Sequence, residues 1–327
     1  MATHSDTTRV SDAADHAEIQ AALLAWFAEC GRDLPCRRTR DPYHILVSEI
    51  MLQQTQVDRV LPKYRAFLEA FPTLEALASA PTAEVIRAWS GLGYNRRAVN
   101  MQRSARAVLE EHGGQFPRDI ATLLRLPGIG PYTAGAIACF AFEQDVAFID
   151  TNIRRVVRRL FVGPGERAAT GEAQLLATAQ AAIPPGRGWA WNQAIMELGA
   201  LICTAATPAC WRCPLQAHCR DYAARRRADE QMFDAAMAAP EATPPRPRRV
   251  AERREAAFGG SNRFYRGRIV ETLRQVAPGE ALALDALGKQ VREGFGVADV
   301  PWLRSLLESL ARDGLVVLEG EMARLPV

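Results

Sequence analysis

Apolar residues recur at helical spacing through the first two thirds of the chain, and strand-like alternation is nearly absent. The first stretch carries Ile19, Leu23, Leu24 and Phe27, and Gly31 supplies a stop signal after it. Loops with Pro or Gly separate the helix-like stretches that follow, which span residues 44–57, 59–70, 83–89, 96–111, 119–125, 131–142, 152–161, 171–182 and 191–203. The pattern predicts an all-α body over residues 15–222.

The composition changes at about residue 223. From there to residue 262 the chain holds three consecutive arginines, a proline-rich run and a Gly-Gly-Ser-Asn stretch, a composition too polar to pack. Eight arginines and two glutamates lie between Arg246 and Arg268, a block that suits either a solvated linker or a phosphate-binding patch. The composition favours the linker, so we predict an Arg/Pro-rich linker at 223–262.

Helical periodicity returns after the linker, in residues 263–327. Helices are expected near 265–276, 283–293 and 299–312, followed by a hairpin that turns at Glu319-Gly320. The third helix has one apolar face, formed by Trp302, Leu303, Leu306, Leu307 and Leu310. Three helices and a short hairpin predict a small winged-helix-like module.

The chain as a whole has the composition of an ordinary globular protein, with 48% hydrophobic residues and a net charge of +3. Residues 1–14 are polar and lack the apolar core of a signal peptide, so we expect a disordered tail. The longest apolar run, Ala134 to Phe142, is too short to span a membrane. We therefore expect a cytoplasmic protein with no membrane partner.

Four of the seven cysteines lie close together in the sequence: Cys203, Cys210, Cys213 and Cys219. A reducing compartment argues against disulfides, so the spacing indicates a metal site. Four thiolates within one short segment can surround an iron–sulfur cluster or a zinc ion, and the spacing alone does not choose between them. Uncoordinated thiols are the remaining alternative.

The sequence Leu-Pro-Gly-Ile-Gly at residues 126–130 lies between two helical stretches. The glycines Gly128 and Gly130 let backbone N–H groups and the start of the next helix approach an anion closely, and DNA phosphate suits that geometry. A tight interhelical turn with no ligand is the equally simple interpretation.

Glu49 lies inside an apolar helical stretch, residues 45–52. A carboxyl group in such surroundings is hard to keep solvated, and desolvation raises a carboxyl pKa toward the range that a general acid needs. The alternative is a glutamate on an exposed helix face, which is the usual place for one.

Asp150 ends the apolar run 146–149 and precedes a helical stretch. Aspartate is a preferred N-cap and favours the positive end of the helix dipole. A capping role and a catalytic role are compatible, because a cap fixes the position of the carboxylate.

Taken together and in this order, these features resemble the endonuclease III superfamily of base-excision glycosylases, over residues 18–222. Within it the closest resemblance is to adenine glycosylases of the MutY type, carried by residues 48–57, by Gly-Leu-Gly-Tyr at 91–94 and by the segments 192–194 and 197–200. The resemblance implies a two-lobed helix-hairpin-helix fold, with a six-helix lobe at about 43–150 and a cluster lobe formed by 15–42 and 151–222. It also implies a [4Fe-4S] cluster on the four cysteines.

The same resemblance implies roles for individual residues. Glu49 would protonate adenine at N7 and activate water, Asp150 would stabilise the cationic sugar, and Tyr132 would support that centre. Gln54 and Tyr94 match positions that wedge into the duplex, and Gly128 and Gly130 would hold phosphate. The base pocket would contain Arg37, Gln193 and Glu197.

Tyr132 occupies the hairpin position at which the lyases of the superfamily carry a lysine, whose amine forms a Schiff base. The two lysines of the chain, Lys63 and Lys289, both lie outside the hairpin–aspartate motif. The resemblance therefore implies a monofunctional glycosylase, a monomer that acts on double-stranded DNA with mispaired or damaged bases and, in a bacterium, associates with the nucleoid.

Three features depart from the pattern of the MutY type. Cys36 replaces an aromatic residue of the pocket wall, and Asn95 replaces a second tyrosine after Gly-Leu-Gly-Tyr. No segment after residue 223 resembles the Nudix-like domain that reads 8-oxoguanine opposite the adenine. The competing interpretations are a thymine or uracil mismatch glycosylase of the same superfamily, a non-catalytic DNA-binding iron–sulfur protein and, with least support, a lyase.

Overall fold

The computed structural model describes residues 13–167, 169–238 and 259–327. It is predominantly helical, in agreement with the predicted class. The helices are α1 (Ala13–Cys30), α2 (Pro42–Leu52), α3 (Val57–Ala70), α4 (Leu74–Ser79), α5 (Thr82–Ala88), α6 (Arg96–His112), α7 (Ile120–Leu123), α8 (Pro131–Phe140), α9 (Thr151–Val157), α10 (Glu172–Ala181), α11 (Gly188–Leu201), α12 (Arg220–Ala238), α13 (Asn262–Arg274), α14 (Leu284–Val291) and α15 (Val300–Arg312). None of the described helices is long and apolar enough to cross a membrane.

Local sequence signals set several helix starts. Asp41 caps α2 by accepting a hydrogen bond from the backbone N–H of Tyr43 at 2.7 Å, and Pro42 occupies the first helical position. Asp119 caps α7 and Ser261 caps α13 in the same way. Capping side chains satisfy backbone donors that have no partner inside the helix, so these residues fix where the chain enters each helix.

The sequence pattern missed two helices. Helix α4 has only six residues, too few for a clear periodicity. Helix α12 covers the first part of the predicted linker, so the linker start at residue 223 was placed too early. Residues of α12 are mostly charged or alanine, which are good helix formers without an apolar stripe. The rest of the predicted linker up to residue 258, and the predicted tail up to residue 12, lie outside the described residues.

The chain divides into two compact units. The described residues up to 40 and from 134 to 238 form the first unit, and residues 41–133 with 259–327 form the second. In the first unit α11 packs against α1 and α9. Gly199 permits the close approach of α9, because a Cβ atom there would lie 2.8 Å from Cβ of Asn152. This division differs from the lobe boundaries expected near residues 43 and 150.

The second unit contains helices α2–α7 and the C-terminal module. Its largest buried side chains include Phe67 and Trp89, whose rings meet edge to face at 6.1 Å between centroids. The module runs α13, β1 (Leu282–Ala283), α14, α15, β2 (Val317–Glu319) and β3 (Met322–Arg324), with the antiparallel order β1-β3-β2. The three helices and the hairpin agree with the sequence expectation.

The pattern missed strand β1 and misplaced the hairpin turn by one residue. Glu319 pairs with Met322, so Gly320 and Glu321 form the turn instead of Glu319-Gly320. Gly320 has φ of +61°, a left-handed conformation in which glycine is favoured. Strand β1 has only two residues, and its partner β3 is remote in sequence. A strand this short produces no alternating pattern from which it could be predicted.

Candidate active site

The second unit places Glu49 on α2 beside Tyr132 in the first turn of α8. Glu49 is 5% exposed, which confirms that it does not lie on an open helix face. The hydroxyl of Tyr132 donates a hydrogen bond to Oε2 of Glu49 at 2.7 Å. Next to this pair, Nε2 of Gln53 donates to the hydroxyl of Thr133 at 3.3 Å. The start of α8 therefore holds the end of α2 through two side-chain contacts, one of which fixes the Glu49 carboxyl group.

The hairpin between α7 and α8 has the glycine-dependent geometry that the sequence predicted. Gly128 has φ of +78°, and a Cβ atom there would lie 2.6 Å from Cβ of Asn100. The hydroxyl of Ser104 donates to the carbonyl of Pro127 at 2.6 Å and ties the turn to α6. Among the described residues, and apart from the two chain neighbours of Gly130, no atom lies within 4 Å of the position that a Cβ on Gly130 would take. The backbone at Gly130, just before α8, is therefore open to a close ligand.

Gln54 and Tyr94 share an uncommon backbone conformation. Among the described non-glycine residues only Gln54, Tyr94 and Glu143 have positive φ, with values of 55°, 45° and 55°. Such residues are held in place by their surroundings and are enriched at functional sites. Tyr94 is also 47% exposed, a large fraction for an aromatic side chain. The two residues expected to enter the duplex are thus exposed residues on strained turns.

Arg97 joins the two turns. One of its guanidinium nitrogens, Nη1, donates to the carbonyl oxygens of Ile50 at 2.7 Å and Gln53 at 2.6 Å. The other, Nη2, donates to the carbonyl oxygens of Leu92 at 3.1 Å and Gly93 at 3.2 Å. Burial lowers the pKa of Arg97 to about 10, so the side chain keeps its charge at neutral pH. The sequence reasoning did not single out this arginine.

In the first unit Asp150 caps α9, as the sequence predicted. Oδ1 accepts a hydrogen bond from the backbone N–H of Ile153 at 2.6 Å, and Oδ2 accepts one from the side chain of Asn152 at 3.2 Å. Burial raises the pKa of Asp150, and these hydrogen bonds act in the opposite direction. Both carboxylate oxygens are therefore fixed by donors of their own helix.

The first unit also brings together the three residues expected in the base pocket. Arg37 donates from Nε to Oε1 of Gln193 at 2.7 Å and from Nη2 to Oε2 of Glu197 at 2.7 Å. Arg32, which the sequence reasoning missed, donates to Oε1 of Glu197 at 2.7 Å through its own Nε. Burial raises the pKa of Glu197, but the hydrogen bonds from Arg32 and Arg37 outweigh it and lower the value to about 2.

The four clustered cysteines lie on the loop between α11 and α12. Burial is the main reason that the pKa of the Cys213 thiol rises to about 11, and the nearby groups of Cys203, Cys219 and Cys210 raise it further. The four thiols are therefore close enough to interact electrostatically. Among the described residues no group of three or more Cys, His, Asp or Glu side chains is placed to hold a single metal ion.

Two arginines fasten this cysteine loop to α9 and its π-helical extension. Arg159 donates to the thiol sulfur of Cys203 at 3.3 Å and to the carbonyl of Thr204 at 2.6 Å. Arg155 donates to the carbonyl of Cys203 at 2.6 Å and to Oδ1 of Asn152 at 2.7 Å. Because Asn152 in turn donates to Asp150, a continuous chain of hydrogen bonds leads from the cysteine loop to the Asp150 carboxylate.

Comparison with known proteins shows the family to which this chain belongs. A family model of the HhH-GPD superfamily base excision DNA repair proteins matches residues 47–179. The adenine DNA glycosylase of Mycolicibacterium smegmatis is 40% identical over 298 residues, which cover 90% of this chain and 91% of that protein. The chain belongs to the HhH-GPD superfamily and, within it, to the adenine DNA glycosylases. So long an alignment includes part of the C-terminal module.

Solved structures of the superfamily share the fold. A thermostable thymine-DNA glycosylase superposes with a TM-score of 0.61 at 31% identity, covering 64% of this chain and 98% of its own. A non-covalent complex of endonuclease III with DNA gives a TM-score of 0.55 at 24% identity, covering 65% and 98% of the two chains. This second likeness shows that this chain has the endonuclease III fold.

The structure thus places Glu49 with Tyr132, and Arg37 with Gln193 and Glu197. The residues that the sequence reasoning missed are arginines whose side chains donate hydrogen bonds either to the buried Glu197 carboxylate or to backbone carbonyl oxygens: Arg32, Arg97, Arg155 and Arg159. The one available signal was the excess of arginine over lysine in the chain. Arginine offers five donors in a fixed planar group, which suits it to such multiple contacts.

Proposed function

We propose that this protein is a monofunctional adenine DNA glycosylase, which hydrolyses the N-glycosidic bond of adenine mispaired with guanine or 8-oxoguanine in duplex DNA. The observation that carries the proposal is the buried Glu49 held by the hydroxyl of Tyr132. A buried carboxyl group suits a general acid, and a tyrosine at the hairpin position offers no amine for a Schiff base. The close relatives named as adenine glycosylases support the choice of base.

Glu49 would donate a proton to N7 of the adenine and so convert the base into a leaving group. The carboxylate left behind carries a negative charge in a buried place, and the hydroxyl of Tyr132 already points a hydrogen bond at it. The same carboxylate would then take a proton from the attacking water. Tyr132 therefore supports the ionised form of Glu49 in both halves of the reaction.

Asp150 would stabilise the positive charge that develops on the sugar as the bond breaks. A carboxylate does this well when it cannot turn away, and both of its oxygens are held by donors of α9. Water completes the reaction. The product is an abasic site with an intact backbone, because the chain supplies no lysine in the hairpin to cleave it.

DNA would be engaged by the hairpin and by the two strained turns. The open backbone at Gly130 and the start of α8 offer N–H groups to a phosphate. Gln54 and Tyr94 would enter the duplex and offset part of the unstacking cost of extruding the adenine, which is on the order of a few kcal/mol. Arg37, Gln193 and Glu197 would line the base pocket as one hydrogen-bonded group.

The cysteine loop fits a [4Fe-4S] cluster. Its donor set is four thiols, and an iron–sulfur cluster distributes four thiolates over different iron atoms. The thiols of Cys203, Cys210 and Cys219 lie close enough to Cys213 to raise its pKa, so the four thiols are near one another in the loop. When bound, the cluster would supply a rigid centre that keeps Cys203, Cys210, Cys213 and Cys219, and with them the start of α12, in place.

A thymine or uracil mismatch glycosylase is the second candidate, favoured by the likeness to a thymine-DNA glycosylase. Single-turnover base release decides between the two, using matched duplexes that carry A:8-oxoguanine, A:G, T:G and U:G. We expect release of adenine from both adenine mispairs. Processing of T:G with both adenine mispairs intact would refute the adenine proposal. We further propose that the protein acts inside the cell and as a monomer.

A further inference from the structure

The C-terminal module shares a hydrophobic core with the helices that carry the Tyr94 turn. Ala83, Ile86 and Val99 belong to the same cluster of buried side chains as the apolar face of α15 and the inner faces of α13 and α14. The backbone N–H of Ala83 also donates to the carbonyl of Pro326 at 2.7 Å. The module is therefore built onto the helices before residue 133, and its residues can act on the turns between them.

Arg274, on α13 of the module, reaches the turn directly. Its side chain is 6% exposed, and its Nη2 donates to Oδ1 of Asn95 at 2.8 Å while Nε donates to the carbonyl of Ile86 at 3.0 Å. Asn95 is the residue that departs from the Gly-Leu-Gly-Tyr-Tyr pattern of related enzymes. Its side chain makes no capping bond to α6, so the contact with Arg274 is what the amide contributes here.

A second arginine of α13 faces the neighbouring residue. The guanidinium carbon of Arg263 lies 4.9 Å from the centre of the Tyr94 ring, and that of Arg97 lies 5.5 Å from it. A guanidinium within about 6 Å of an aromatic ring centre is attracted to the ring face. Tyr94 thus lies against one arginine from its own helix region and one from the module, although its side chain is half exposed.

We propose that Arg263 and Arg274 are positioning residues: through Tyr94 and Asn95, the C-terminal module holds the wedge that helps to extrude the target base. The inference rests on the proposed glycosylase function and extends it to a part of the chain with no assigned role. An exposed tyrosine on a strained turn has several rotamers, and each immobilised side chain costs free energy on binding. A ring already fixed by two guanidinium groups enters the duplex without that cost.

A double-mutant cycle on the full-length protein tests the proposal. Arg263→Gln should slow single-turnover adenine release about threefold to fivefold, as expected for one exposed cation–π contact. In a Tyr94→Ala background the same change should have less than a twofold effect, because Arg263 acts through the ring. Equal losses in the two backgrounds would mean that Arg263 contacts DNA by itself, and would overturn the proposal.

Arg268→Gln is the matched charge control. Arg268 lies on the same helix, but it faces Phe264 and donates to the carbonyl of Gln290 within the module. We expect adenine release at the wild-type rate in this variant. A loss as large as that of Arg263→Gln would show that only net charge matters and would equally overturn the proposal.

Asn95 offers a pair of variants that separates the contact with Arg274 from folding. Asn95→Asp keeps an acceptor for Arg274, whereas Asn95→Leu has similar volume and none. We expect near wild-type adenine release from the aspartate variant and a loss of about tenfold or more from the leucine variant, as for a hydrogen bond to a charged group. Equal rates for the two variants would contradict the role of Arg274.

Extrusion can be read without cleavage. A fluorescent adenine analogue at the target position brightens when it leaves the stack, and Arg263→Gln should reduce that increase while the wild-type protein retains it. If the wild-type protein releases no adenine from any duplex, the proposed function fails. The fluorescence measurement still tests whether Arg263 positions Tyr94 for base extrusion. An unchanged fluorescence increase in Arg263→Gln would refute the positioning role alone.

Discussion

The hydroxyl of Tyr132 donates a 2.7 Å hydrogen bond to the buried carboxyl group of Glu49. This hydrogen bond predicts a specific loss of catalytic rate when the Tyr132 hydroxyl is removed. Tyr132→Phe should slow adenine release about tenfold to a hundredfold, the effect of one hydrogen bond to a charged group of about 1.5–3 kcal/mol. DNA affinity should not change, because the bond matters most when Glu49 has lost its proton. Single-turnover rates with saturating enzyme measure this.

Tyr43→Phe is the control for that variant. The hydroxyl of Tyr43 is buried in the same unit and donates to the carbonyl of Phe71 at 2.6 Å, remote in sequence from the hairpin. We expect some loss of stability and an unchanged rate of release. If Tyr43→Phe slowed release as much as Tyr132→Phe does, the Tyr132 hydroxyl would contribute only to folding.

Glu49→Gln tests the general acid itself. The amide keeps the size of the side chain but cannot donate a proton from oxygen or take one from water, so release should fall by about a hundredfold to ten-thousandfold. Binding to an A:8-oxoguanine duplex, measured by fluorescence anisotropy, should survive. Substantial residual release would remove Glu49 as the acid.

Glu197→Gln should destabilise the first unit in a pH-dependent way. The folded pKa of Glu197 is about 2, below its ordinary value of 4.5, so its stabilising contribution is present above pH 4.5 and is lost as the pH falls toward 2. Removing one partner of a buried ion pair costs about 3–5 kcal/mol. Chemical denaturation at pH 7 and at lower pH should show a difference between variant and wild type that shrinks on acidification.

Glu172→Gln is the surface counterpart. Glu172 also faces two arginines, Arg154 and Arg158, but its side chain is 59% exposed. Exposed ion pairs contribute about 1 kcal/mol or less. Equal destabilisation by the two glutamate variants would contradict the buried pairing of Glu197.

Arg155→Gln should disturb the position of the Asp150 carboxylate indirectly, through Asn152. Arg155 orients the amide of Asn152, which donates to Asp150, and the same guanidinium holds the carbonyl of Cys203. We expect adenine release to slow about tenfold, the effect of losing one charged hydrogen bond, and any bound cluster to be lost faster to a chelator. Arg154→Gln, which loses only a surface pair, should leave both measurements unchanged. An unaltered rate of adenine release in Arg155→Gln would contradict a role for these hydrogen bonds in positioning Asp150.

The cysteine loop predicts a brown protein with absorbance near roughly 400 nm, as expected for iron ligated by cysteine. Cys213→Ser should reduce this absorbance and destabilise the first unit. Cys30→Ser alters an exposed cysteine at the end of α1 and should change neither. A colourless protein with stoichiometric zinc would refute the cluster.

Features that depend on neighbours along the chain could be predicted from the amino-acid sequence. The helical class follows from periodicity, the position of Asp150 from capping, and the shared face of Gln193 and Glu197 from their spacing of one helical turn. Gly128 could be identified from the turn that needs it. These signals are local, because hydrogen bonds within a helix or a cap join residues at most four positions apart.

The remote residues that complete each site became known from the folded chain. Arg274 and Asn95 are 179 positions apart, and Arg32 and Glu197 are 165 apart. The sequence does not reveal the partner of a charged side chain, because a guanidinium group can face solvent, bind a phosphate or donate to a buried carbonyl equally well. The fold alone brought Arg97 to both strained turns and built the C-terminal module onto the helices that carry Tyr94.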